Sequence, residues 1–104
     1  MKTATKTPIA CPVEKTLAVI GKKYAPLIVR DLLTGKKRFG ELLSSLSGIS
    51  PRTLSARLAE LERDGIIRKK IFPVVPLHVE YSLTKRGEQL HGILEQMRKW
   101  STKK

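Results

Sequence analysis

Residues 49–70 read ISPRTLSARLAELERDGIIRKK, and the way this stretch folds decides how the rest of the chain is read. Ser50 is a good N-cap, because its hydroxyl oxygen can accept one of the N–H groups that a first helical turn leaves free. Pro51 suits the first helical position, where its missing N–H is not needed. Gly65 is a natural stop, since helices commonly end on a residue with positive φ. The spacing predicts a helix from Pro51 to Asp64. Stepping about 100° per residue around it puts Leu54, Leu58 and Leu61 on one side. The opposite side carries Arg52, Ala56, Ala59 and Arg63, with Thr53 and Glu60 on one edge and Arg57 further round toward the core.

That outward face suits duplex DNA. Small alanines let the backbone approach a surface, and a helix about 10–12 Å across fits a major groove about 12 Å wide. Arg52 stands in the first turn, where recognition helices usually touch base edges. From the flank, Arg57 can reach a phosphate or a guanine. The same face can also be read as solvated, with Arg57 or Arg63 paired to Glu60, Glu62 or Asp64, and exposed pairs of that kind are worth little.

The neighbouring segments favour the first reading. Ahead of the SGIS turn (47–50), Phe39, Leu42, Leu43 and Leu46 recur at helical spacing in a short helix. After Gly65 the period drops to two. Ile67, Lys69 and Ile71 alternate with Arg68, Lys70 and Phe72, and Val79, Tyr81 and Leu83 share one side of a second strand. The prolines of PVVPL (73–77) keep that segment out of a central strand, so the two runs form a hairpin with a long tip. Further out, Pro12 opens a helix whose stripe is Val13, Leu17 and Ile20, closed by Gly21. A second helix, about Tyr24 to Leu33, is apolar on most of its circumference, and Lys36-Lys37-Arg38 follows as a basic turn. Thr84 caps a last helix whose stripe is Leu90, Ile93, Leu94, Met97 and Trp100, with Trp100 read as core. The expected class is α+β, mainly helical. It is a winged helix-turn-helix domain with a β-hairpin wing and flanking N- and C-terminal helices, in residues 11–104 after a loose arm over 1–10.

Charge points the same way. The chain has 104 residues, 21 Lys+Arg against 9 Asp+Glu, a net charge of +12, and 40% hydrophobic content. It is one domain with a real core, and its charge repels itself unless a polyanion is near. No apolar run approaches the roughly 20 residues of a membrane span, and MKTATKTPIA lacks the apolar stretch of a secretory signal. The expectation is a cytoplasmic protein that uses no membrane. The basic clusters at Lys36–Arg38 and Arg68–Lys70 can flank the groove over phosphates. Two other readings of the charge stay open: an architectural DNA binder with little sequence preference, and a winged-helix interaction module whose basic surface is incidental.

Three segments together carry a resemblance: CPVEKTLAVIGKKY (11–24), RFGELLSSLSGISPRTLSARLAELERDGII (38–67) and FPVVPLHVEYSLTKRG (72–87). In this order they resemble the HxlR-type winged helix-turn-helix transcriptional regulators, relatives of the MarR-like group, from Cys11 to about Trp100. The resemblance implies a homodimer on a near-palindromic operator, with the helix at Pro51 in the major groove, the hairpin as wing and the terminal helices pairing the subunits. Two flanking helices with apolar stripes are more than a minimal winged helix needs, which supports burial of one stripe by a partner; the alternative is that both pack within one subunit. The sites expected to touch DNA are Arg38, Ser50, Arg52, Thr53, Ser55, Ala56, Arg57, Lys69, Lys70 and His78. Family members often carry Trp where Tyr24 stands, and an arginine near the wing tip where this chain has Leu77 and His78.

The single cysteine, Cys11, rules out an intrachain disulfide. At a helix start the dipole and free N–H groups favour a thiolate, and Lys15 adds positive potential. Some members of the family sense oxidants or electrophiles through a cysteine in this region, so Cys11 is a candidate sensor. The alternative is a small residue buried at the subunit interface. His78 and His91 share no ligand spacing with Cys11, so neither a metal nor a cofactor is expected. Nucleophile elbow, phosphate loop and paired catalytic carboxylates are all missing, and no enzymatic activity is expected.

Overall fold

The computed structural model describes residues 11–103, so the arm expected over residues 1–10 lies outside it. The elements run α1 (Pro12–Ile20), α2 (Ala25–Leu32), β1 (Lys37–Arg38), α3 (Phe39–Ser45), α4 (Pro51–Arg63), β2 (Ile67–Phe72), β3 (His78–Leu83), α5 (Lys85–Glu88) and α6 (Leu90–Thr102).

Local chemistry sets these boundaries. Ser50 Oγ accepts the Thr53 N–H at 3.1 Å and starts α4. Asp64 is its C-cap, and Gly65 turns the chain at φ +75°, where a Cβ would be disfavoured. The Glu14 and Glu41 carboxylates reach back to the N–H groups of Cys11 (3.3 Å) and Arg38 (2.7 Å), tying the first turns of α1 and α3. Thr84 does the same for α5, its hydroxyl accepting the Gly87 N–H at 3.1 Å while lying 2.6 Å from the Gly65 carbonyl.

The sheet is antiparallel with strand order β1-β3-β2. β2 and β3 pair from Ile67↔Leu83 out to Phe72↔His78. The basic turn expected at residues 36–38 is in part a strand, Lys37 facing Tyr81 and Arg38 facing Glu80. A strand of two residues has no period to read. β2 does not alternate as expected either. Ile67 is buried and Ile71 is exposed, because the strand leaves the core after its first residue and continues outward as the wing.

One cluster forms the core. Ile28, Val29 and Leu32 of α2 meet Leu42 and Leu46 around α3, Leu54, Leu58 and Leu61 of α4, and Ile66, Ile67, Tyr81 and Leu83 at the sheet. Burial pushes the Tyr81 hydroxyl above its usual range, with Glu62 adding to the effect. The terminal helices contribute little. Only Ile20 of α1 is buried, while Val13 and Leu17 are 64% and 54% exposed. The last helix breaks at Gln89 into α5 and α6, and beyond Leu90 its stripe opens to the surface, with Ile93 42%, Met97 50% and Trp100 77% exposed. Trp100 is therefore not core, because helical periodicity identifies an apolar face without saying what covers it. Among the described residues no helix is long and apolar enough to cross a membrane.

Candidate nucleic-acid interface

The helix α3, the turn through Gly48 and Ile49, and the helix α4 form the helix-turn-helix, with β2 and β3 as the wing. Leu54, Leu58 and Leu61 hold α4 to the core and turn its other side outward. Arg52, Ser55, Ala56, Ala59 and Arg63 are all exposed. Among the described residues neither Arg52 nor Arg63 is held by an ion pair, so both guanidinium groups are available to a polyanion. Ser50 and Thr53 are occupied with each other. The Ser50 hydroxyl accepts the Thr53 N–H and donates to Thr53 Oγ1 at 3.0 Å. Their local work is to fix the first turn in which Arg52 sits.

Arg57 is placed differently. Its Nε donates to the Lys23 carbonyl at 2.9 Å, its Nη1 lies 3.4 Å from Glu60 Oε1, and its side chain is 21% exposed. The other Glu60 oxygen pairs with Lys22 Nζ at 3.3 Å. This is the pairing with Glu60 that the sequence offered as the alternative, joined by a contact to a residue 34 positions earlier.

On the wing, Arg68, Lys69 and Lys70 of β2 are exposed, and Lys70 Nζ lies 5.0 Å from the centre of the Phe72 ring. Arg38, next to α3, is exposed as well, whereas Lys37 donates to the Thr34 hydroxyl at 2.9 Å. The tip, residues 73–77, has no charge, and Val75 is fully exposed. His78 is half-buried. Its Nε2 is 2.7 Å from Glu80 Oε2 and its ring meets Phe72 edge-on at 4.9 Å. That hydrogen bond, helped by Lys36 at 3.6 Å, holds the Glu80 carboxyl below the usual carboxylate range. The wing thus carries exposed cations along β2 and an uncharged, apolar tip.

Cys11 is exposed at the N-cap of α1. A groove of about 450 Å³ runs beside it, between α1 and the α5–α6 segment, with Pro12, Val19, Leu90 and Ile93 among its walls. Among the described residues no three His, Cys, Asp or Glu side chains gather as a metal site needs. Neither the β1 pairing nor the contact of Arg57 with Lys23 has a signal in the order of residues. Both join segments far apart in the chain.

Residues 19–104 match the family described as HxlR-like helix-turn-helix. The HTH-type transcriptional regulator YvaP of Bacillus subtilis (strain 168) is 42% identical over 93 residues, spanning 88% of this chain and 86% of YvaP. Among solved structures, the redox regulator HypR in its oxidized form matches with a TM-score of 0.83 at 43% identity, over 90% of this chain and 99% of that one. The transcriptional regulator YodB from B. subtilis in its reduced form matches with a TM-score of 0.79 at 34% identity, over 89% and 92%. YodB has also been solved diamide-treated and quinone-bound.

Proposed function

The chain belongs to the HxlR-like helix-turn-helix family of transcriptional regulators, and from that premise we propose that it is a homodimer that reads specific duplex DNA with α4 in the major groove. The observation that carries this reading is the outward face of α4, exposed arginines at Arg52 and Arg63 around small Ala56 and Ala59, beside the basic root of the wing. Arg52, Ser55 and Ala56 contact base edges. Ser50 and Thr53 present the first turn to the backbone, and Arg38, Lys69 and Lys70 sit over flanking phosphates. His78 contributes least, being tied to Glu80. Residues 11–104 act as one unit, and two copies related by a two-fold axis place their reading helices about one helical turn, or a multiple of it, apart on a near-palindrome.

The test is an anisotropy titration at about 150 mM salt, where the Debye length is roughly 8 Å. It compares duplex from upstream of the chain's own gene, or a duplex enriched from a random library, with a scrambled one. A preference of about a thousandfold or more is the result expected of a specific regulator. Equal affinity for the enriched and scrambled duplexes would instead make it an architectural binder. Arg52→Ala is expected to weaken the preferred duplex by about 10- to 100-fold and to relax sequence choice at one position. A uniform loss on all duplexes would assign Arg52 to a phosphate instead.

Cys11 makes the regulator responsive to oxidants or electrophiles in this reading. HypR is named a redox regulator, and Cys11 stands exposed at the start of a terminal helix whose Val13 and Leu17 are exposed as well. With one cysteine per chain, the available chemistry is a disulfide between the two Cys11 thiols of a dimer or an adduct on each. Diamide is expected to lower operator affinity of the wild type about tenfold or more, a difference of about 1.4 kcal/mol, and to leave Cys11→Ser unaffected. Equal losses in both proteins end the sensor role.

A further inference from the structure

We propose that Arg57 is a positioning residue of the DNA-reading helix, and not one of its DNA ligands. The proposal rests on the reading of α4 given above. It starts from the way two residues on one flank of α4 grip two consecutive residues between α1 and α2. Arg57 Nε donates to the Lys23 carbonyl at 2.9 Å, and Glu60, 3.4 Å from Arg57, holds Lys22 Nζ at 3.3 Å. Among the described residues no backbone N–H takes that carbonyl, so the guanidinium supplies the donor it lacks. The segment being gripped has a fixed direction. Gly21 closes α1 with its N–H 2.7 Å from the Leu17 carbonyl, and Tyr24 opens α2 in the left-handed region at φ +74°.

The core alone does not supply this constraint. Leu54, Leu58 and Leu61 lie within an arc of about 60° around the axis, and a single row of leucines sets the distance of α4 from the core better than its rotation. Arg57 sits about 60° and Glu60 about 120° away from Leu54, where a polar anchor resists turning. A rotation of about 20° would move a side-chain tip 5–6 Å from the axis sideways by about 2 Å, enough to break a hydrogen bond to a base edge. Arg52 and Arg63 are exposed and unpaired among the described residues, whereas Arg57 has two of its nitrogens committed. The same grip carries any tilt of α1 into the angle of α4, which links the subunit-pairing helix to the reading helix.

Glutamine at this position separates the two roles, because its amide nitrogen stands where arginine's Nε stands but has no charge. Wild type, Arg57→Gln and Arg57→Ala are titrated across salt against a duplex of about 30 base pairs, about three helical turns, enriched from a random library by the wild-type chain. Arg57→Ala is expected to bind about tenfold more weakly, the loss of roughly one good contact. Arg57→Gln should stay within about threefold of wild type, and all three should share one salt slope. A slope shallower by about 1.8 in both variants, about 0.9 for each of the two copies bound, would make Arg57 a phosphate ligand and overturn the proposal. So would wild-type affinity in Arg57→Ala, or equal weakness of the two variants. Residual dipolar couplings of the free proteins give an arm that needs no DNA. The angle between α1 and α4 should change in Arg57→Ala and hold in Arg57→Gln. An unchanged angle in Arg57→Ala overturns the proposal even if no duplex is enriched, an outcome that on its own counts only against the DNA reading.

Discussion

Replacing Gly87 with alanine is expected to lower stability by about 3 kcal/mol, which for a domain of this size is a fall in thermal midpoint of roughly 12 °C or more. A Cβ built at Gly87 would lie 2.2 Å from the Ile66 carbonyl oxygen, 3.2 Å from its carbon and 3.0 Å from Leu83 Cδ2. The neighbour is backbone, and it cannot step aside by changing rotamer. That carbonyl already accepts the Thr84 N–H at 2.9 Å, and the Thr84 hydroxyl lies 3.1 Å away. Moving it would loosen the junction between α4, the sheet and α5. Helix propensity alone argues the other way, favouring alanine over glycine by about 1 kcal/mol, so the sign of the result decides which effect wins. Gly40 is the control. Nothing lies within 4 Å of a Cβ there, and Gly40→Ala should gain about 0.5 kcal/mol. Thermal melts of both variants, followed by circular dichroism, test the pair. A melting point for Gly87→Ala at or above that of wild type would mean the backbone at Ile66 yields cheaply.

The second large effect concerns the uncovered faces of α1 and α6. Val13, Leu17, Ile93, Met97 and Trp100 are all exposed in the protomer. Fully burying one side chain of this kind is worth about 1.5–3 kcal/mol. Covering the remaining halves of five on each copy yields roughly 10 kcal/mol for the pair before ordering costs. The double variant Ile93→Asp/Met97→Asp puts two carboxylates where a partner would have to desolvate them. It is expected to sediment as a monomer with an unchanged circular dichroism spectrum. Losing the second reading head should weaken binding to a palindromic duplex by about 10²- to 10⁴-fold, the usual gain from tethering two sites. A variant that still sediments as a dimer would move the pairing surface elsewhere.

Much of this molecule could be read from residue order. The cap at Ser50, Pro51 at the helix start and the stop at Gly65 delimit α4 to within a residue. The change of period after Gly65 marks the wing, and the small and basic residues opposite Leu54 mark the outward face. What could not be read depends on contacts between distant segments. β1 exists because Lys37 and Arg38 lie along β3, and two residues carry no periodic signal. The pairing of Arg57 with Glu60 can be read on a helical wheel, but its hold on a carbonyl from the turn before α2 cannot. His78 is the local exception, drawn to Glu80 two residues along the same strand. Trp100 shows a further limit. Its stripe is real, but whether a stripe is covered by its own chain or by another copy is not written in its period.

The strand order β1-β3-β2 has a consequence for the free protein. β3 is paired on both sides, while among the described residues no strand pairs with the outer rim of β2. Such a rim is a template for a strand from another molecule, and it lies close to the uncharged tip of residues 73–77. Arg68, Lys69 and Lys70 stand in a row on that same strand. A second copy approaching edge to edge would bring its own three cations against them, so the run proposed to face phosphate would also keep wings from joining into fibres in the free protein.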